Sequence, residues 1–235
     1  MTSVHLDMAA KKLHPGTIVL ITSAVSLALW FVPFTRHFLL PLVYLNTHFH
    51  ESCHALVSMA TGGQVERIEV YASGAGVTLS RGGILALSAS AGYFGASVIG
   101  GVLIACARSV KASRIALMTS GIGLAIMLGL FIRADLIGII SASVWSFALI
   151  FSSQKLPEKA VPIFTGFLGF QQCLTSIQAL TTLYLISSTT NGHSDAKIME
   201  QLTYIPATVW SLFWILASVF AIGFGYRHAL RGSLK

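Results

Sequence analysis

The residues best equipped for chemistry lie in HFHESCH, residues 48–54, where three imidazoles and a carboxylate interrupt an apolar run. His50 and His54 are four apart, so on a helix they stand one above the other on the same face. Two imidazole nitrogens at that spacing can hold one Zn²⁺. Glu51, about 100° further round, can reach a water on the metal. The ion lowers that water's pKa towards 7 and the carboxylate takes its proton. Every defined position of H-E-x-x-H thus has a chemical reason. With 8 His and five Glu in 235 residues, composition alone yields roughly 0.006 such matches per chain, too few to treat the pattern as accident. The competing reading is a polar cluster lining a helix–helix contact. It leaves unexplained why ionisable groups stand at membrane depth, where they cost several kcal/mol. His48 is out of phase with the pair and is expected to contact the ligands or to sit at an interface.

The elements that must position these residues are membrane helices. The chain is 54% hydrophobic and only 10% charged, against about 25% charged in soluble domains. Its mean hydropathy is +0.77. Apolar runs recur at residues 17–34, 38–60, 84–107, 163–186 and 207–226. Residues 115–151 form a stretch too long for one span, broken at Arg133–Asp135 into two. The expected fold is an all-α polytopic membrane protein with six or seven transmembrane helices. The first run lacks a small-residue cleavage site and is read as a span rather than a signal peptide.

The net charge of +7 does not point to nucleic acid, because the cations sit in short loops between spans, where they set orientation in the bilayer. With seven spans, Arg108, Lys111, Arg114, Lys155, Lys159 and the C-terminal cations form the larger group on one side. Lys11 and Lys12, which fall with Arg67, Arg81 and Lys197 on the other, flank the first span and argue the reverse, which leaves the orientation open. Cys53, Cys106 and Cys173 lie in apolar segments at unrelated spacings, giving neither a disulfide framework nor a thiolate metal site. Gly92, Gly95, Gly100 and Gly101 read as small-residue helix packing. Between the second and third runs, VERIEVYASGAGVTLS places β-branched residues on either side of a Ser-Gly-Ala-Gly turn, which predicts a β-hairpin.

HESCHALVSMATGGQVERIEV resembles the start of the site-2 protease class of intramembrane zinc metalloproteases, and more closely the M50B-like peptidase family. The resemblance continues through GAGVT, SAGYFGASVIGG and SDAKIMEQLTYIPATVWSLFW, covering most of the chain from His50 to Trp214. It implies a zinc site inside the membrane, with Glu51 as general base and His50 and His54 as ligands. It also implies that the hairpin can hold substrate as an added strand. A third protein ligand is needed, since catalytic zinc keeps its fourth position open. In site-2 proteases that ligand is an Asp in an Asn-Pro-Asp-Gly-type motif, which does not occur here. Two Asp residues lie downstream of the pair. Asp195 falls in the family-like SDA and could instead be a first-turn residue of a helix capped by Ser194. Asp135, at the helix break, is the alternative ligand and could instead pair with Arg133.

The expectation is therefore one membrane-embedded metalloprotease-like domain over residues 1–235. Its N-terminal tail is 1–16, its hairpin insertion 61–83 and its C-terminal tail 227–235. The partners implied are a membrane-protein substrate and the lipid bilayer, with no nucleic acid, and the location is multi-pass in the plasma (inner) membrane. The alternatives are a transporter or ion-binding protein whose His50, Glu51, His54 and Asp135 line a pathway, and a catalytically inactive protease-like binding protein.

Overall fold

The computed structural model describes residues 15–30, 32, 36–133, 135–187 and 194–231. They form eight helices and one hairpin: α1 (Pro15–Trp30), α2 (Arg36–Ala60), β1 (Gln64–Val70), β2 (Gly76–Arg81), α3 (Leu85–Cys106), α4 (Val110–Leu130), α5 (Leu136–Lys155), α6 (Ala160–Ser187), α7 (Asp195–Thr203) and α8 (Ala207–Arg231). The helical membrane class is as the apolar runs predict. The number of spans is not: among the described residues, α3, α4, α5, α6 and α8 are long and apolar enough to cross a membrane, five rather than six or seven. The α1 helix has 16 residues, short of the ~20 a span needs. The α2 helix is long enough at 25 residues, but Asn46, His48, His50, Glu51 and His54 dilute its hydropathy.

At the C-terminal end, α8 continues as helix to Arg231, into the residues read as the C-terminal tail. The N-terminal tail lies outside the described residues, apart from the start of α1.

The break in the long apolar stretch has a local cause. Arg133 folds its guanidinium back to donate to the carbonyls of Leu128, Gly129 and Ile132 at 2.9, 2.7 and 2.9 Å, so a cation closes α4 where the helix dipole is negative. Asp135 then caps α5, its carboxylate accepting from the Ile137 N–H at 2.8 Å and the Gly138 N–H at 3.3 Å. The two side chains serve their own helix ends. Among the described residues no ion pair joins them, contrary to the pairing that was the other expectation for Asp135.

The α3 helix packs against α2, α6 and α8, while α4 and α5 pair beside them. Small residues let α3 come close: a Cβ on Gly100 would stand 2.7 Å from the Gly169 carbonyl of α6. Outward faces are apolar, with Phe147 on α5 and Phe220 on α8 largely exposed, as lipid contact requires. Polarity is gathered inside. Asn46 is buried and donates to the Gln172 carbonyl at 2.9 Å and to Ser176 at 3.2 Å on α6.

The hairpin is antiparallel, with Ile68 opposite Thr78 and a register shift between Val65 and Arg67. On its other side β1 meets the α4–α5 break. The Ile68 N–H donates to the Phe131 carbonyl at 2.8 Å, and the Arg133 N–H donates to the Ile68 carbonyl at 3.0 Å.

Candidate metal centre

The H-E-x-x-H segment lies within α2, so the helix sets its geometry. His50 and His54 project from one face, their rings edge-to-face at 4.6 Å between centroids and their Nε2 atoms 2.9 Å apart. Asp195 reaches them from the other end of the sequence. It opens α7, directly after Ser194, whose hydroxyl accepts from the Lys197 N–H at 3.3 Å. Its Oδ2 stands 3.3 Å from His50 Nε2 and 3.2 Å from His54 Nε2. The first-turn position and the approach to the histidines, weighed as alternatives in the sequence, are both occupied by this residue.

Three features of the site suit a metal. Ligands set tetrahedrally at about 2.0–2.1 Å from zinc stand roughly 3.3 Å from one another, and the three edges here are 2.9, 3.2 and 3.3 Å. The Ser88 carbonyl lies 2.6 Å from His54 Nδ1. A carbonyl only accepts, so Nδ1 carries a proton, and a neutral ring would present its Nε2 lone pair to the convergence point. Finally, space is kept beside the nitrogens. A Cβ on Gly92 of α3 would lie 2.5 Å from His50 Cε1 and Nε2 and closer still to His54 Nε2. The donor set, two imidazoles and a carboxylate, suits zinc.

Glu51 is buried at 4% exposure and lies outside the group of three converging ligand atoms. It points to the hairpin. The Thr78 hydroxyl of β2 is 2.7 Å from Glu51 Oε2 and 2.9 Å from the Glu51 carbonyl. Gly76 makes that approach possible, since a Cβ there would stand 2.8 Å from both Cγ and Oε1 of Glu51. The same α2 face fastens the hairpin tip through Tyr44, donating to the Ala72 carbonyl at 2.9 Å, and Thr47, donating to the Gly74 carbonyl at 2.6 Å. The turn that leads into the strand beside Glu51 is thus anchored by hydroxyls on successive turns of one helix.

Tyr93 closes the far side of His50 at 4.4 Å, edge-on, and stacks on the buried Trp214 of α8 at 5.5 Å. The α7 helix is tied to α8 by Glu200, which accepts from Lys197 Nζ at 2.9 Å and from the Ala207 N–H at 3.2 Å. Those two donors, Lys197 above all, hold the Glu200 carboxyl below the usual range.

Of the residues singled out in the sequence, the fold gathers His50, His54 and Asp195, with Glu51 adjoining. Asp135 is used at the α5 N-terminus and does not belong to the group. His48 is fully buried and meets Ser141 of α5 at 2.8 Å. Gly92, read as packing alone, lies against both imidazoles. Neither Ser88 nor Thr78 is signalled by the sequence: a backbone carbonyl leaves no mark on it, and Thr78 is one β-branched strand residue among several.

A sequence model of the Peptidase M50B-like family matches residues 18–225, taking in the histidine pair, the hairpin, α3 and Asp195. No curated protein and no solved structure matches the chain.

Proposed function

The chain belongs to the M50B-like peptidase family, and from that membership we propose that it is an intramembrane zinc metalloprotease. It hydrolyses peptide bonds within or near the transmembrane segments of membrane-protein substrates. The observation that carries this reading is the triangle of His50, His54 and Asp195, with a buried carboxylate on the neighbouring helical position. His50, His54 and Asp195 would hold the metal. Bound zinc supplies Lewis acidity, which brings the pKa of water towards 7 and polarises a carbonyl.

Glu51 accepts the proton of the attacking water and returns it to the leaving amine. Thr78 holds the Glu51 carboxylate, and Ser88 keeps the His54 ring in the tautomer that presents Nε2. Tyr93 and Trp214 shut water out behind His50. A transmembrane substrate arrives as a helix and must be held extended for cleavage. The β2 strand supports that role, because it lies against Glu51, whereas β1 is already engaged by residues 131–133. An extended segment added to β2 would run beside the base. By the same proposal the chain, multi-pass by its five long apolar helices, works in the plasma (inner) membrane.

The test is purification in detergent with zinc stoichiometry measured for wild type and His54→Ala, followed by reconstitution with a single-span substrate. One zinc per wild-type chain, lost in His54→Ala, is expected. Stoichiometric zinc remaining in a His50→Ala/His54→Ala variant would place the metal elsewhere.

A further inference from the structure

Four glycines of α3 look alike in the sequence, but they face different things. A Cβ on Gly95 would meet Cys53 Sγ at 2.5 Å, one on Gly100 would meet Cys173 Sγ at 2.5 Å, and one on Gly101 would meet the Ala221 carbonyl at 2.8 Å. Those are helix-packing contacts. At Gly92 the neighbours are instead the ligand atoms, Nε2 of both His50 and His54, with His50 Cε1 beside them.

We propose that Gly92 is a positioning residue that sets metal affinity, by leaving open the volume into which the two imidazoles converge. The inference rests on the reading of His50, His54 and Asp195 as ligands. The physical basis is that neither ring has an easy retreat. His54 is fixed on its Nδ1 side by the Ser88 carbonyl at 2.6 Å, one helical turn before Gly92. His50 is flanked edge-on by Tyr93 at 4.4 Å, which is itself stacked on Trp214 at 5.5 Å. A methyl group on Gly92 therefore either enters the space beside the Nε2 atoms or pushes a ring off the geometry that brings it to Asp195. Ser88, Gly92 and Tyr93 thereby make the N-terminal turns of α3 one wall of the centre, supplying a carbonyl, a gap and a ring. Elsewhere on α3 the glycines serve only the close approach of helices.

The experiment compares wild type, Gly92→Ala and Gly95→Ala, purified metal-free in detergent. Zinc affinity is measured by competition with a chromophoric chelator, and Co²⁺ spectra report ligand geometry. Gly92→Ala is expected to bind zinc roughly ten- to a hundredfold more weakly, in the range typical of residues that orient ligands. Its Co²⁺ spectrum should be altered. Gly95→Ala should match wild type in both. A second arm needs no metal. Gly92→Ala should lower the thermal midpoint of the metal-free protein, and the loss should vanish in a His50→Ala/His54→Ala background, where the rings are gone. Equal zinc affinity in wild type and Gly92→Ala, or equal weakening by Gly95→Ala, overturns the role of Gly92. Wild-type protein that takes up no zinc overturns instead the metal reading on which it depends.

Discussion

Replacing Thr78 by Val changes one hydroxyl to a methyl at nearly constant volume and isolates the link between hairpin and base. Among the described residues the Thr78 hydroxyl is the donor to the Glu51 carboxylate, at 2.7 Å, and Glu51 is only 4% exposed. A hydrogen bond to a charged group contributes about 1.5–3 kcal/mol, and the cost is greatest when the partner stays buried without it. The Glu51 carbonyl, 2.9 Å from the same hydroxyl, loses only a competing contact, because it remains available to the helix. At roughly 2–4 °C per kcal/mol for a chain of this size, the metal-free thermal midpoint of Thr78→Val should fall by several degrees. Thr78→Ser keeps the donor and should recover most of the loss. Zinc content should not change, since Thr78 touches no ligand. In proteoliposomes, a base free to drift by about an ångström costs up to ~10²-fold in rate, and the loss should fall on kcat. Thr78→Val and Thr78→Ser indistinguishable from wild type in both stability and cleavage would refute the reasoning. A Thr78→Val that loses zinc would show that the hairpin supports the metal rather than the base.

Glu51→Gln should retain fold and zinc, since the amide oxygen still accepts from Thr78, while substrate cleavage falls by about 10²–10⁴; equal fragment yield from both proteins would remove Glu51 from the mechanism. Asp195→Asn should lower zinc content, whereas Asp135→Asn should leave zinc in place and cost about 1 kcal/mol or less, because Asn also caps helices well; metal analysis of the two side by side decides between the two aspartates. Tyr204 ends α7 with φ 60 and is exposed, so Tyr204→Gly should relieve left-handed strain and raise stability by about 0.5–1 kcal/mol; a lower thermal midpoint would mean that the ring contributes more than its conformation costs.

What was legible in the sequence was local. The pair His50 and His54 could be read because the helix itself fixes a four-residue spacing. The hairpin could be read because β-branched residues flank a Gly-rich turn, and the break at Arg133 because one span cannot be so long. Helix ends explain why Asp135 misled as an alternative: an N-cap and a metal ligand are the same residue type beside the same kind of break. Asp195 is joined to the histidines only by tertiary packing, so nothing in its own spacing announces it, and family-like neighbours were the sole signal. Gly92 differs from Gly95 only in what stands opposite, which one strand of sequence does not contain. The count of spans erred for a related reason. The α2 helix sits where a span would, yet it carries the site and so is too polar to register as one.

The three converging side chains are split along the polypeptide, two on α2 and one on α7, with α3 through α6 between them. Synthesis runs from the N-terminus, so His50 and His54 are laid down well before Asp195 exists. Two imidazoles alone are a poor trap for a metal. On the proposed reading, a nascent chain carries an unfinished catalyst past every other protein being inserted beside it, and becomes competent only after α7 has docked. With a metal bound as proposed, the centre would also be a clasp, fastening α7 and α8 back onto α2. On that reading, stripping the metal should loosen α7 and α8 first, so that maturation and decay share one final contact.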